Sequence, residues 1–111
     1  MRLDRKIIGA IVERQIRRTR TLGSWPALER ASGVSRSTLY RIRDADPRVE
    51  AATFERVGAA LGLPYDALVT AGAHDLDGLV ELGVDHELVH WVGKEIAKAA
   101  SESLPDVGNA I

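Results

Sequence analysis

Residues 27–43 read Ala27-Leu28-Glu29-Arg30-Ala31-Ser32-Gly33-Val34-Ser35-Arg36-Ser37-Thr38-Leu39-Tyr40-Arg41-Ile42-Arg43, and the rest of the chain is organised around them. The spacing predicts two short helices joined by a tight turn. Gly33 supplies the turn, because a positive φ costs glycine little. Ser35 is placed to cap the second helix, its hydroxyl accepting from an early backbone N–H. Leu28 and Ala31 are expected to face inward from the first helix, Leu39 and Ile42 from the second, with Val34 plugging the turn. That leaves Arg36, Ser37, Tyr40 and Arg41 outward on the second helix, a donor-rich face without a carboxylate.

Two helices joined in this way form a helix-turn-helix, whose second helix enters the DNA major groove. The charge distribution points the same way. Residues 1–48 hold 12 of the 15 Lys and Arg against 5 acids, a net of +7, while residues 49–111 carry −8, so the formal net charge of −1 hides a strong asymmetry. A basic half that contains the motif suits a polyanionic partner, although two solvated surfaces also differ in charge by chance.

The length of 111 residues suits one small domain with or without an accessory helix, and 45% hydrophobic residues suffice for one core. Aromatic residues make up only 5%, so aliphatic and alanine packing must dominate. The chain has no cysteine, which excludes disulfides and thiolate metal sites and fits a reducing cytoplasm. No apolar run approaches the roughly 20 residues a membrane-spanning helix needs, and the charged N-terminus lacks a signal-peptide core.

Outward from the central stretch, residues 3–18 read as an amphipathic helix with Leu3, Ile7, Ile8, Ile11, Val12 and Ile16 on one face and Asp4 in its first turn. Arg14, Arg17, Arg18 and Arg20 cluster at its end, where they either compensate the helix C-terminus or lie near phosphates. Ser24 should cap the next helix, with Trp25 and Pro26 in its first turn. Trp25 is a candidate both for the core and for the sugar-phosphate backbone. Pro47 closes the helix-turn-helix. A helix over about 50–61 follows, with Phe54, Val57 and Leu61 inward, and then a short one from Pro64 to Gly72. Residues 73–77 read as a linker, and residues 78–83 as one or two helical turns. Asp85 is a good cap for a final helix of about 86–102, with Leu88, Trp91, Val92, Ile96 and Ala99 as its apolar stripe. Residues 103–111 read as a frayed, flexible tail. No strand pattern is seen.

Residues 6–72 resemble the lambda-repressor-like, Xre-type DNA-binding domain. The resemblance is carried by Leu28 and Ala31-Ser32-Gly33-Val34-Ser35-Arg36-Ser37-Thr38-Leu39-Tyr40-Arg41-Ile42, then by Thr53-Phe54-Glu55-Arg56-Val57, Ala60-Leu61-Gly62-Leu63-Pro64 and Leu68. It implies an all-α fold, a compact five-helix helix-turn-helix domain over residues 1–72, with residues 73–111 as a C-terminal helical extension. It implies base contacts from Arg36, Ser37, Tyr40 and Arg41. Contacts to the DNA backbone would come from Ser24, Trp25, Ser35, Thr38, Arg17, Arg18, Arg20, Arg43 and Arg48. Two positions depart from the family pattern. Glu29 stands where a small alanine is usual, so it must tilt outward or find a partner. Arg43 stands where an acid often pairs with an arginine of the first helix, and Asp44 follows, so that ion pair is shifted or absent.

One other motif competes. His86-Glu87-Leu88-Val89-His90 matches H-E-x-x-H, in which two histidines on one helix face bind zinc and the glutamate acts as general base. Gly93 fits the extended form, but its third ligand falls on Ile96, which cannot coordinate metal, and only 39 residues follow Gly72. His86 and His90 are therefore metal candidates without a third ligand, and a capped amphipathic helix is the favoured reading. No cofactor is expected.

The expectation is a cytoplasmic, sequence-specific regulator of transcription on double-stranded DNA, a repressor of the phage-immunity or Cro-like kind, without enzyme activity. The last helix packs either on its own first helix, which leaves a monomer reading a single asymmetric site, or on a second copy, and a homodimer on DNA is the favoured state. The alternatives are an antitoxin-type regulator, whose acidic C-terminal half engages a basic partner protein, and, more remotely, a zinc-peptidase-like protein.

Overall fold

The apolar residues repeat at helical spacing along nearly the whole chain, and the computed structural model, which describes residues 3–103, is all-helical with no strand among them. Its elements are α1 (Arg5–Arg18), α2 (Trp25–Ser32), α3 (Arg36–Arg43), α4 (Ala51–Leu61), α5 (Tyr65–Gly72), α6 (Leu76–Glu81) and α7 (His86–Ser103). The frayed tail expected over 103–111 lies outside the described residues, apart from Ser103, which closes α7.

The helix ends follow from local chemistry. Asp4 is not in the first turn of α1 but caps it, accepting from Lys6 N–H at 3.1 Å and Ile7 N–H at 3.3 Å, so the helix starts at Arg5 rather than residue 3. Ser24 accepts from Ala27 N–H at 3.3 Å and begins α2, with Pro26 in its first turn. Gly33 ends α2 at φ 73°, the left-handed conformation that lets its N–H reach the Glu29 carbonyl. Asp75 accepts from Gly78 N–H at 2.9 Å, so part of the expected 73–77 linker is already helical α6. The Asp85 carboxylate accepts from Glu87 N–H at 3.4 Å at the head of α7.

Helix α1 lies at the centre and packs against α3, α4, α5 and α7, while α2 packs on α3 and α4. Its face of Ile7, Ile8, Ile11, Val12 and Ile16 is buried, and Leu28, Leu39, Ile42, Phe54, Val57 and Leu68 close over it. Leu79 of α6 and Leu88 and Val92 of α7 belong to the same apolar cluster, so α7 packs on its own chain. Two small residues fall outside this core: Ala31 and Ala99 are exposed, and partly buried Ala27 packs against the core from α2. No polar or charged side chain is buried among the described residues. The interior is therefore purely structural, and any recognition chemistry lies on the surface.

Candidate nucleic-acid interface

Helix α3 buries Leu39 at 0% and Ile42 at 2% exposure, and this places the residues between them on the outside. Arg36, Ser37 and Arg41 are exposed, and Tyr40 is half-buried. The Ser35 hydroxyl caps the helix, accepting from Thr38 N–H at 3.3 Å and donating to Thr38 Oγ1 at 2.9 Å, with Ser37 Oγ at 3.3 Å. The end of α3 is held against α1 by a close approach at Gly9, where an added Cβ would sit 2.6 Å from the Ile42 carbonyl oxygen. Only a residue without a side chain allows this spacing.

The start of α2 and the outer face of α3 meet through aromatic rings. The Trp25 and Tyr40 ring centroids lie 5.9 Å apart at 74°, edge to face, and the Arg43 guanidinium stacks over the Tyr40 ring at 4.4 Å. Trp25 is half-buried, packed against the core on one side and facing solvent on the other. Ser24, Trp25, Tyr40 and Arg43 thus form one continuous surface beside Arg36, Ser37 and Arg41.

Most of the arginines on this side carry intramolecular partners. Arg43 donates through Nε and Nη2 to Asp44 at 3.0 and 3.3 Å, and the hydrogen bond to Asp44 holds its guanidinium pKa above the usual value. The ion pair of this region is therefore local, and no arginine of α1 joins it; Arg5 instead donates to the Val49 carbonyl at 3.0 Å and lies over Phe54. Arg48 donates to both Asp46 oxygens, at 3.0 and 2.8 Å, and these bonds, with the Arg48 backbone N–H, draw the Asp46 carboxyl down to about 2. This pair braces the loop in which Ala45 adopts a φ of 60°. Arg36 is paired with Glu29 of α2 at 3.1 Å. Arg41 is exposed, and its positive charge acts on the Asp46 carboxylate from a distance, helping to lower its pKa.

The arginines at the end of α1 divide between two faces. Arg18 donates to Glu87 of α7 at 2.9 Å, and Arg14 stacks over Trp91 of α7 at 5.3 Å. Burial and the neighbouring Arg18 charge lower the Arg14 pKa. These two residues clamp α7. Arg17 pairs with Glu13 at 3.0 Å and is 75% exposed, and Arg20 is exposed beyond the helix end. Sequence reasoning missed the Arg14–Trp91 and Arg18–Glu87 contacts, because surface pairs so far apart in the chain leave no local pattern.

His86 and His90 are both exposed on α7. Among the described residues, no group of three or more histidines, cysteines and carboxylates converges as a metal site. No helix among them is long and apolar enough to cross a membrane.

Comparison with models of known protein families, with curated proteins and with solved structures returned no match.

Proposed function

We propose that this chain binds double-stranded DNA sequence-specifically as a transcriptional regulator, most simply a repressor. In this reading residues 6–72 form a lambda-repressor-like helix-turn-helix domain with α3 in the major groove. The observation that carries it is the combination of a glycine turn at φ 73° between α2 and α3 with an α3 face that exposes Arg36, Ser37 and Arg41 beside Tyr40. Arg36 and Arg41 read base edges, since a planar guanidinium matches guanine O6 and N7. Ser24, Trp25, Ser35 and Thr38 follow the sugar-phosphate backbone and set the register, and Arg43 and Arg48 join them only on leaving Asp44 and Asp46. Arg17 and Arg20 add phosphate contacts from the end of α1, while Arg18 first has to leave Glu87 to do so. With Leu88 and Val92 of α7 packed on their own chain, a monomer on a single asymmetric site is the simpler assembly, and a dimer on a two-fold operator needs another surface.

A second reading has its own support. Val80 and Leu82 are exposed at 50% and 44%, flanking Glu81 in the acidic C-terminal half of the chain. An acidic surface with apolar side chains fits a basic protein partner, as in an antitoxin-type regulator.

Selection of bound sequences from random duplex DNA, at fixed salt, tests the main reading. A consensus is expected, two-fold symmetric for a dimer. Arg41→Ala is expected to relax preference at one base pair by about 1–3 kcal/mol. Arg20→Ala instead weakens binding to all sequences and reduces the salt slope by about 1. Absence of any consensus refutes the proposal.

A further inference from the structure

The least expected contact on this face joins its two helices. Glu29, in the middle of α2, crosses the Gly33 turn to the first residue of α3. Its Oε2 accepts from the Arg36 backbone N–H at 2.9 Å, and its Oε1 accepts from Arg36 Nη2 at 3.1 Å. Both groups stay open to water, Arg36 at 46% and Glu29 at 36% side-chain exposure. One carboxylate therefore does two things. It satisfies an N–H at the head of α3 that has no partner within the helix, and it grips one corner of the arginine best placed to meet a base. The bond from the Arg36 N–H, followed by that from its guanidinium, holds the Glu29 carboxyl below its ordinary pKa, so it is ionised at neutral pH.

An exposed pair of this kind adds little to stability. Its effect is on the free state of Arg36. A long guanidinium side chain normally loses much rotamer freedom on docking, and one already held in place loses less. Only Nη2 of the Arg36 fork is bonded to Glu29, and the side chain is 46% exposed, which leaves its other N–H groups for a partner. The carboxylate also occupies the Arg36 N–H, a donor that would otherwise draw in a DNA phosphate without regard to sequence.

Building on the DNA-binding reading above, we propose that Glu29 is a positioning residue that determines specificity: it presents the Arg36 guanidinium in one orientation to a base and keeps a phosphate off the Arg36 N–H. Neither role needs Glu29 to touch a base. Its removal therefore moves specific and non-specific binding in opposite directions, which loss of a simple contact does not do.

The test compares wild type with Glu29→Gln and Glu29→Ala, using the selected site and a random duplex over a series of salt concentrations. Glu29→Gln keeps an oxygen for the Arg36 N–H but loses the charge, so its melting temperature is expected to match wild type. Its preference at the base pair read by Arg36 is expected to fall about fivefold, the scale of one freed side chain. Its affinity for random duplex is expected to rise, with the salt slope steeper by about 1 as Arg36 takes a phosphate. Glu29→Ala should show the same loss of preference together with a lower melting temperature. The proposal is overturned if wild type selects a consensus and Glu29→Gln retains the full preference at that base pair. It is equally overturned if specific and random binding fall together. If wild type selects no consensus, the underlying DNA-binding reading has failed and the role of Glu29 falls with it.

Discussion

Two glycines inside helices should respond to the same substitution with opposite signs, and the difference is a test of how α3 is held. At Gly9 an alanine Cβ would lie 2.6 Å from the Ile42 carbonyl oxygen and 3.1 Å from that of Arg43. Both are backbone atoms, so relief requires α1 to move away from the end of α3. The Ile42 carbonyl also accepts the Ala45 N–H at 3.1 Å, in a loop where Ala45 is already at φ 60°, which leaves little slack. Overpacking costs about 1–3 kcal/mol, about 2–3 here because both obstructing atoms are backbone, and replacing a helical glycine by alanine returns about 1 kcal/mol. At Gly93 the new Cβ would meet only the Leu76 Cδ1 at 3.3 Å, the tip of a side chain that can swing aside. There the gain in helix propensity dominates. Gly9→Ala is therefore expected to lose about 1–2 kcal/mol and roughly 5–10 °C in melting temperature, while Gly93→Ala gains up to about 1 kcal/mol. Urea and thermal unfolding followed by far-ultraviolet circular dichroism measure both. A Gly9→Ala protein as stable as wild type, or one matching Gly93→Ala, refutes the close α1–α3 approach and with it the fixed orientation of the α3 face.

Two further outcomes can be checked directly. The Asp46 carboxyl titrates at about 2 in the folded chain against an ordinary 3.8, so its contribution is fully present above the ordinary value and is lost as pH falls toward 2. Asp46→Asn should flatten the acid limb of the urea midpoint in that window, and added salt should shrink the difference; an unchanged acid limb would discount the Asp46–Arg48 brace. For the histidines of α7, protein purified without a histidine tag is expected to carry no stoichiometric zinc and to melt at the same temperature with a chelator. Stoichiometric zinc that disappears in both His86→Ala and His90→Ala would restore the metal reading of that helix.

The boundaries of α2 and α3 could be read from the chain because each rests on a nearby residue. Ser24 and Ser35 cap within three positions, and Gly33 adopts the left-handed turn its lack of a side chain permits. The helical repeat of Ile, Leu and Val also identified most of the core, since large aliphatic side chains gain most from burial. Alanine gains too little to fix which way a helix turns, so Ala31 and Ala99 could be assigned inward and yet lie exposed. Asp4 shows how weak a boundary signal can be, because the same carboxylate suits both the first turn and the cap.

What stayed hidden is charge pairing across distance. Arg18 meets Glu87, 69 residues away, and Arg14 meets Trp91 only because α7 folds back along α1. No local pattern encodes such a meeting, and each surface arginine has several possible partners until the helices are placed. The consequence for the candidate interface is that the count of basic residues overstates the free positive charge. Arg14 and Arg18 serve α7, Arg43 and Arg48 are neutralised by the acids beside them, and Arg36 is held by Glu29. A face in which most guanidinium groups are already oriented by carboxylates is poorly suited to indiscriminate attraction of phosphate. On the proposed DNA-binding reading, such fixed donors would meet base edges at fixed positions in the groove.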